Sequence, residues 1–221
     1  SLVAVLAQRL VRKICTYCKE PYEPSVSVRR AVERICGEVE AYPIPESAPT
    51  HPVCPYGVSK LSGEHYLFYY RRVFGVPYVA LRYANVYGPR QDPHGEAGVI
   101  AIFSKKLLAG ADVTIFGDGL QTRDYVFVGD VVRANLAAVT GDYCGAVNIG
   151  TGVETNVNDL YAIIKRHAGG PGKALHAAPR DGELRRSVLS AALAERVLGW
   201  KPRTSSSDGL AETVDFFRSR P

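Results

Sequence analysis

The stretch from Val76 to Tyr83 limits the fold more than any other feature of the chain. It is largely apolar, and is bounded by Gly75 on one side and by Gly88-Pro89 on the other. A short apolar run without polar alternation predicts a strand buried on both faces, as strands of parallel sheets are. Parallel strands must be joined by crossovers, usually helices, and the flanking sequence supplies them. Residues 57–74 predict a long helix with Leu61, Tyr66, Tyr69, Tyr70 and Val73 on its buried side. Arg71 and Arg72 sit near its C-terminus, where cations suit the helix dipole, and Gly75 caps it. Further helices are expected at about 98–109, 129–140, 156–168 and 190–198, with short strands at 113–116 and 146–149. Tyr42 to Pro55, rich in Pro, Ser and Thr, predicts a loop. Alternating helix and strand without internal repeats gives an α/β class.

Composition narrows the setting. A chain of 221 residues suits one good-sized domain, or one domain with a small appendage. No apolar run approaches the ~20 residues a bilayer requires, so membrane spanning is not expected. The early run Leu2–Ala7 has neither a basic leader nor a small-residue cleavage site. Five scattered cysteines argue against a disulfide framework and for a reducing compartment, which predicts a cytoplasmic protein. The net charge of +5 invites a nucleic-acid reading, but its distribution opposes one. Residues 1–36 hold seven basic and three acidic side chains, leaving the rest nearly neutral. A nucleic-acid binder carries its basic stripe on the main fold.

Composition changes sharply at Gly37, the first of 21 glycines. The segment 1–36 reads as a short basic helix followed by Cys15-Thr-Tyr-Cys18, and is expected to be foreign to the domain at 37–221. A single Cys-x-x-Cys is half of a tetrahedral zinc site, so two free thiols in a turn are as well supported as a metal. The wording LAQRLVRKICTYCKEPYEP resembles the zinc-knuckle segment of type II secretion and type IV pilus ATPases. That family closes its site with a second Cys-x-x-Cys, which this chain lacks. Nor does the chain contain a Gly-x-x-x-x-Gly-Lys-Ser/Thr phosphate loop. The five histidines have no ligand spacing, and none is assigned to a metal.

The chemistry concentrates at Tyr56-Gly-Val-Ser-Lys60. Residues four apart share a helix face, so Lys60 can lie beside Tyr56 and favour its phenolate. A tyrosine so placed can take a proton from an alcohol while hydride leaves for a nicotinamide. The motif alone is weak. It is followed, in one order, by LRYANVYGPRQDP, TIFGDGLQTRDYVFVGDVVRAN, NIGTG, PRDGE and LGWKP. Together these segments resemble the extended short-chain dehydrogenase/reductases, and within them the NAD-dependent nucleotide-sugar epimerases and dehydratases of the UDP-glucose 4-epimerase kind.

The resemblance implies a role for each matched position. Tyr56 would be the catalytic base, and Lys60 its partner and a ligand of the nicotinamide ribose. Tyr83 would line the nicotinamide pocket. Asn85 would bond the substrate's phosphate or sugar, and Val99 would begin a helix at an anion-facing turn. Thr114 and Phe116 would read uracil from an edge strand. Arg123 and Arg180 would clamp the diphosphate, because guanidinium forks fit phosphate oxygens. Glu183 would bond the uridine ribose. Read without the family, Asp124 is placed to pair with Arg123, and Glu183 with Arg180. The resemblance also implies NAD as cofactor, a UDP-sugar as substrate and a homodimer.

Two departures accompany the match. No Gly-x-Gly-x-x-Gly turn occurs in the chain. The expected architecture is therefore the C-terminal part of a Rossmann-type fold, an incomplete parallel sheet with a small α/β substrate-binding domain. The Ser or Thr that the family places about two dozen residues before the tyrosine is also missing, its place filled by Arg30 to Glu33. A Tyr-assisted UDP-hexose 4-epimerase, truncated and impaired, is the expected function. The alternative is a catalytically silent interaction module bearing the zinc-type segment.

Overall fold

The computed structural model describes residues 42–52, 54–94, 98–180 and 184–219. Six helices and eight strands occur among them. Helix α1 (Pro55–Phe74) leads into strands β1 (Val79–Tyr83) and β2 (Asn85–Tyr87). Helix α2 (Val99–Leu108), β3 (Val113–Phe116), β4 (Thr122–Arg123), β5 (Tyr125–Phe127) and helix α3 (Val128–Thr140) follow. The chain then forms β6 (Gly145–Ile149), β7 (Thr155–Asn156), α4 (Val157–Ala168), β8 (Ala174–Ala177), α5 (Ala192–Leu198) and α6 (Ser206–Arg218).

Strand β1 pairs in parallel with β6, in the register Val79 to Gly145 through Tyr83 to Ile149. Strands β2 and β5 are parallel, as are β3 and β8, whereas β4 and β7 are antiparallel. Two apolar clusters organise these elements. Val79, Val126, Val147, Ile149, Ala134 and Trp200 pack α3 and α5 against the β1–β6 pair. Phe103, Leu107, Ile115, Leu160, Ile164 and Val214 join α2, α4 and α6 to β3. The expected parallel strand is therefore present as β1, and the α/β class follows from the crossovers.

Helix α1 forms for local reasons. The Cys54 sulfur accepts from the Gly57 N–H at 3.4 Å as N-cap, Pro55 fits the first turn, and Gly75 ends the helix at φ 70°. Its expected buried side is not buried. Tyr66, Tyr69, Tyr70 and Val73 are exposed, and no residue of α1 is buried among the described residues. The apolar positions do recur at helical spacing, but the described elements place nothing over them. What fastens α1 is polar: Arg82 of β1 donates from Nε and Nη2 to the two carboxylate oxygens of Glu64 at 2.8 and 2.6 Å.

Candidate functional site

Tyr56 occupies the first turn of α1, and the Lys60 ammonium lies 5.2 Å from the centre of its ring. The one-turn spacing thus brings phenol and cation together, as expected. Tyr56 is 62% exposed, so its hydroxyl is open to an incoming group. Tyr83 closes β1, and its hydroxyl donates to Asn135 Oδ1 of α3 at 3.0 Å. Burial raises the Tyr83 phenol above its ordinary value, and the Asn135 bond offsets part of that rise.

A second constellation forms a cleft of about 770 Å³ between α2, β3 and the β4–β5 segment. Asn85, Val99, Thr114, Phe116, Arg123 and Arg180 all line it. These are the six substrate-side positions expected from sequence that fall among the described residues. Asn85 opens β2 and Val99 is the first residue of α2, whose N-cap, Gly98, makes no side-chain capping bond. The free N–H groups of such a turn suit an anion. The Arg180 guanidinium stacks 4.0 Å above the centre of the Phe116 ring. Arg123 donates from Nη1 to the carbonyls of Thr122 and Leu184 at 2.8 and 2.7 Å, which holds that arm of its guanidinium. Tyr56, Lys60 and Tyr83 do not line this cleft.

Arg123 and Asp124 go separate ways. The Asp124 carboxylate is only 1% exposed. It accepts from the Thr151 hydroxyl at 2.6 Å, the Thr151 N–H at 2.8 Å and the Gly152 N–H at 3.2 Å. Its oxygens thus serve the backbone after β6 in place of the neighbouring guanidinium, correcting the expected pair. Glu183, Cys15 and Cys18 lie outside the described residues.

Five further residues with polar side-chain groups line the cleft: Tyr87, Gln91, Lys106, Gln121 and Tyr125. Two periodicities in the sequence point to three of them. Gln121, Arg123 and Tyr125 alternate with Thr122 and Asp124, the period of an extended chain. Val99, Ile102, Phe103 and Lys106 share one helix face. Gln121 Nε2 also donates to the Phe116 carbonyl at 3.0 Å, fixing the end of β3. The cleft holds three cations, Lys106, Arg123 and Arg180, and no carboxylate among its described lining residues.

An α/β scaffold with a tyrosine–lysine helix and a cationic cleft has the features of an anion-binding site. A family model described as the NAD dependent epimerase/dehydratase family matches residues 12–150. The chain is 48% identical over 185 residues to a putative UDP-glucose 4-epimerase of Methanocaldococcus jannaschii, covering 84% of this chain and 60% of that protein. It is 48% identical over 189 residues to the UDP-glucose 4-epimerase of Mycolicibacterium smegmatis, with the same coverages, 84% and 60%. A crystal structure of UDP-glucose 4-epimerase from Thermotoga maritima with UDP-glucose matches with a TM-score of 0.80 and 48% identity, covering 82% of this chain and 59% of that one. This chain belongs to the NAD-dependent epimerase/dehydratase family. Its fold is of the expected class, α/β of the Rossmann type. It spans about 60% of the length of these relatives.

Proposed function

We propose that the chain is the catalytic-helix and nucleotide-sugar-binding portion of an NAD-dependent UDP-hexose 4-epimerase, with residues 37–221 as the epimerase part. The observation that carries this reading is the cationic cleft with no carboxylate among its described lining residues, lined by all six of those positions. Arg123 and Arg180 would hold the diphosphate, with the open first turn of α2 at Val99 as a third anion contact. Thr114 and Phe116 would present the β3 edge to uracil, and Asn85 would bond the phosphate or sugar. Glu183 would bond the uridine ribose, as the resemblance implies. Soluble cytoplasmic placement and a homodimer belong to the same reading. No helix among the described residues is long and apolar enough to cross a membrane.

NAD is the implied cofactor, and the residues present fit one part of it. A phenol and an ammonium on one helix face are the donors a nicotinamide ribose takes, and Tyr56 and Lys60 provide them. When bound, the nicotinamide accepts a hydride and returns it. Tyr56 takes the proton from the hexose 4-hydroxyl and gives it back after the sugar has turned over. Lys60, poised by the Tyr56 ring, steadies the phenolate in between. Tyr83, held by Asn135, would line the nicotinamide pocket.

Calorimetric titration of UDP-glucose into the chain tests the reading. Micromolar to submillimolar binding is expected, weakened about tenfold or more by Arg180→Ala, since charge-assisted bonds contribute about 1.5–3 kcal/mol. In the protein that carries this sequence, Tyr56→Phe should abolish epimerisation and leave UDP-sugar affinity nearly intact. Binding indifferent to Arg180 would refute the assignment.

A further inference from the structure

Lys106 has no place in the roles assigned above, yet it faces the cleft. It lies seven residues beyond Val99 on α2. At 1.5 Å per residue that is about 10 Å along the axis, roughly the reach from a diphosphate to the base of a nucleotide. Immediately beyond it the chain reverses: the Ala111 N–H donates to the Lys106 carbonyl at 2.9 Å, and β3 then returns alongside. Lys106 therefore stands at the Thr114 end of the cleft, away from the open N–H groups of α2. Among the described residues its ammonium has neither a carboxylate nor a hydrogen-bond partner. Its neighbour Lys105 is engaged instead with His94, at 3.4 Å.

An ammonium without a partner among the described residues, at the base end, is a hydrogen-bond donor with no accepting capacity. Uracil offers a carbonyl oxygen at C4, where cytosine carries an amino group that can only donate. We infer that Lys106 is a specificity residue that selects a uracil nucleotide over a cytosine nucleotide by donating to the C4 carbonyl. The inference deepens the proposed function and rests on it.

The probes are UDP and CDP, titrated calorimetrically into the full chain. Wild type should prefer UDP. Lys106→Met keeps the apolar stem and removes the donor; it should weaken UDP about tenfold and CDP less than twofold. Lys106→Arg retains a donor and should retain the preference. Lys106 is exposed, so neither change should lower the thermal unfolding midpoint. Equal losses for both nucleotides would make the ammonium a general phosphate cation and overturn the inference. So would no loss at all, or equal wild-type affinities. Arg180→Ala separates the two levels, because it should weaken UDP and CDP alike. If Arg180→Ala is without effect while UDP still binds, the nucleotide-sugar reading fails, and the Lys106 inference falls with it.

Discussion

Arg82 clasps Glu64 through two parallel hydrogen bonds, and this clasp ties the tyrosine-bearing helix to the sheet. Fork-to-fork pairing of guanidinium and carboxylate fixes both distance and angle. The Arg82 fork also reaches the Glu46 carbonyl at 3.4 Å, so the 42–52 loop shares the same anchor. Because α1 buries no residue among the described ones, its orientation depends on this contact more than on packing.

Glu64→Ala should therefore loosen α1 selectively. Both side chains are about a quarter exposed, which discounts the bond to about 1–2 kcal/mol. Hydrogen exchange should quicken across residues 55–74 and stay unchanged in β6. A uniform rise over the whole chain would show instead that the pair supports global stability.

The turn beyond Phe116 carries a pH-dependent tie. Asp118 accepts from Nη1 and Nη2 of Arg185 at 2.8 and 2.7 Å, closing the rim near Arg180. The Arg185 bonds, helped by the Leu120 N–H, hold the Asp118 carboxyl down at about 2 from its ordinary 3.8. A carboxyl depressed by folding favours the folded rim above pH 3.8, and that contribution disappears as pH falls through about 2. Both side chains are exposed, so the effect is local and screened by salt. Proteolysis or exchange within residues 116–122 and 184–187 should rise between pH 4 and pH 2. Asp118→Asn should show the loosened rim already at neutral pH, without further change on acidification.

Much of this arrangement is legible in the sequence, for identifiable reasons. The apolar run at Val76–Tyr83 reads as a strand, of which Val79 and Ala80 are buried while Leu81 to Tyr83 stay half-buried, and the i, i+4 spacing of Tyr56 and Lys60 places them on one helix face. The six cleft residues were readable through ordered motifs, because each motif belongs to one turn or strand end. The exposed side of α1 was not readable. Spacing reveals an apolar face, but what covers that face is a tertiary fact. The short pairings β2–β5, β4–β7 and β3–β8 are not legible either, since two to four residues carry too little pattern. Helix α6 is likewise hidden in the sequence, although Ser205 caps it by accepting from the Asp208 N–H at 3.1 Å. Its stripe of Leu210, Val214 and Phe217 is interrupted by polar Thr213, which is buried by back-bonding to the Gly209 carbonyl at 2.7 Å.

The buried carboxylate of Asp124 is expected to be structural despite standing next to a cleft arginine. Asp124→Asn keeps the shape but replaces one accepting oxygen with a donor, which then faces the N–H groups of Thr151, Gly152 or Leu189. Leaving buried donors unsatisfied costs about 1–3 kcal/mol each. The unfolding midpoint in urea should fall accordingly with an unchanged slope. Nucleotide affinity should persist in the folded fraction. A variant that unfolds like wild type but no longer binds UDP would move Asp124 from the scaffold into the site.

Gly209 sets helix propensity against packing. It lies within α6, where an exposed Gly→Ala change ordinarily stabilises by up to about 1 kcal/mol. Here an added Cβ would stand 2.3 Å from the Tyr87 hydroxyl oxygen and 3.0 Å from the Phe127 ring. Tyr87 is 3% exposed and edge-packed against both Tyr125 and Phe127, so its ring cannot swing aside. Overpacking of this kind costs about 1–3 kcal/mol, more than the helix gains. Gly209→Ala should therefore destabilise the chain by about 1–2 kcal/mol. Gly209→Ala combined with Tyr87→Phe should recover part of that loss, because removing the hydroxyl frees the space the methyl needs. Denaturant unfolding of the single and double variants measures both. A stabilised single variant would mean that α6 can slide from β2 and β5, and that the packing of Tyr87 beneath the cleft is looser than its burial indicates.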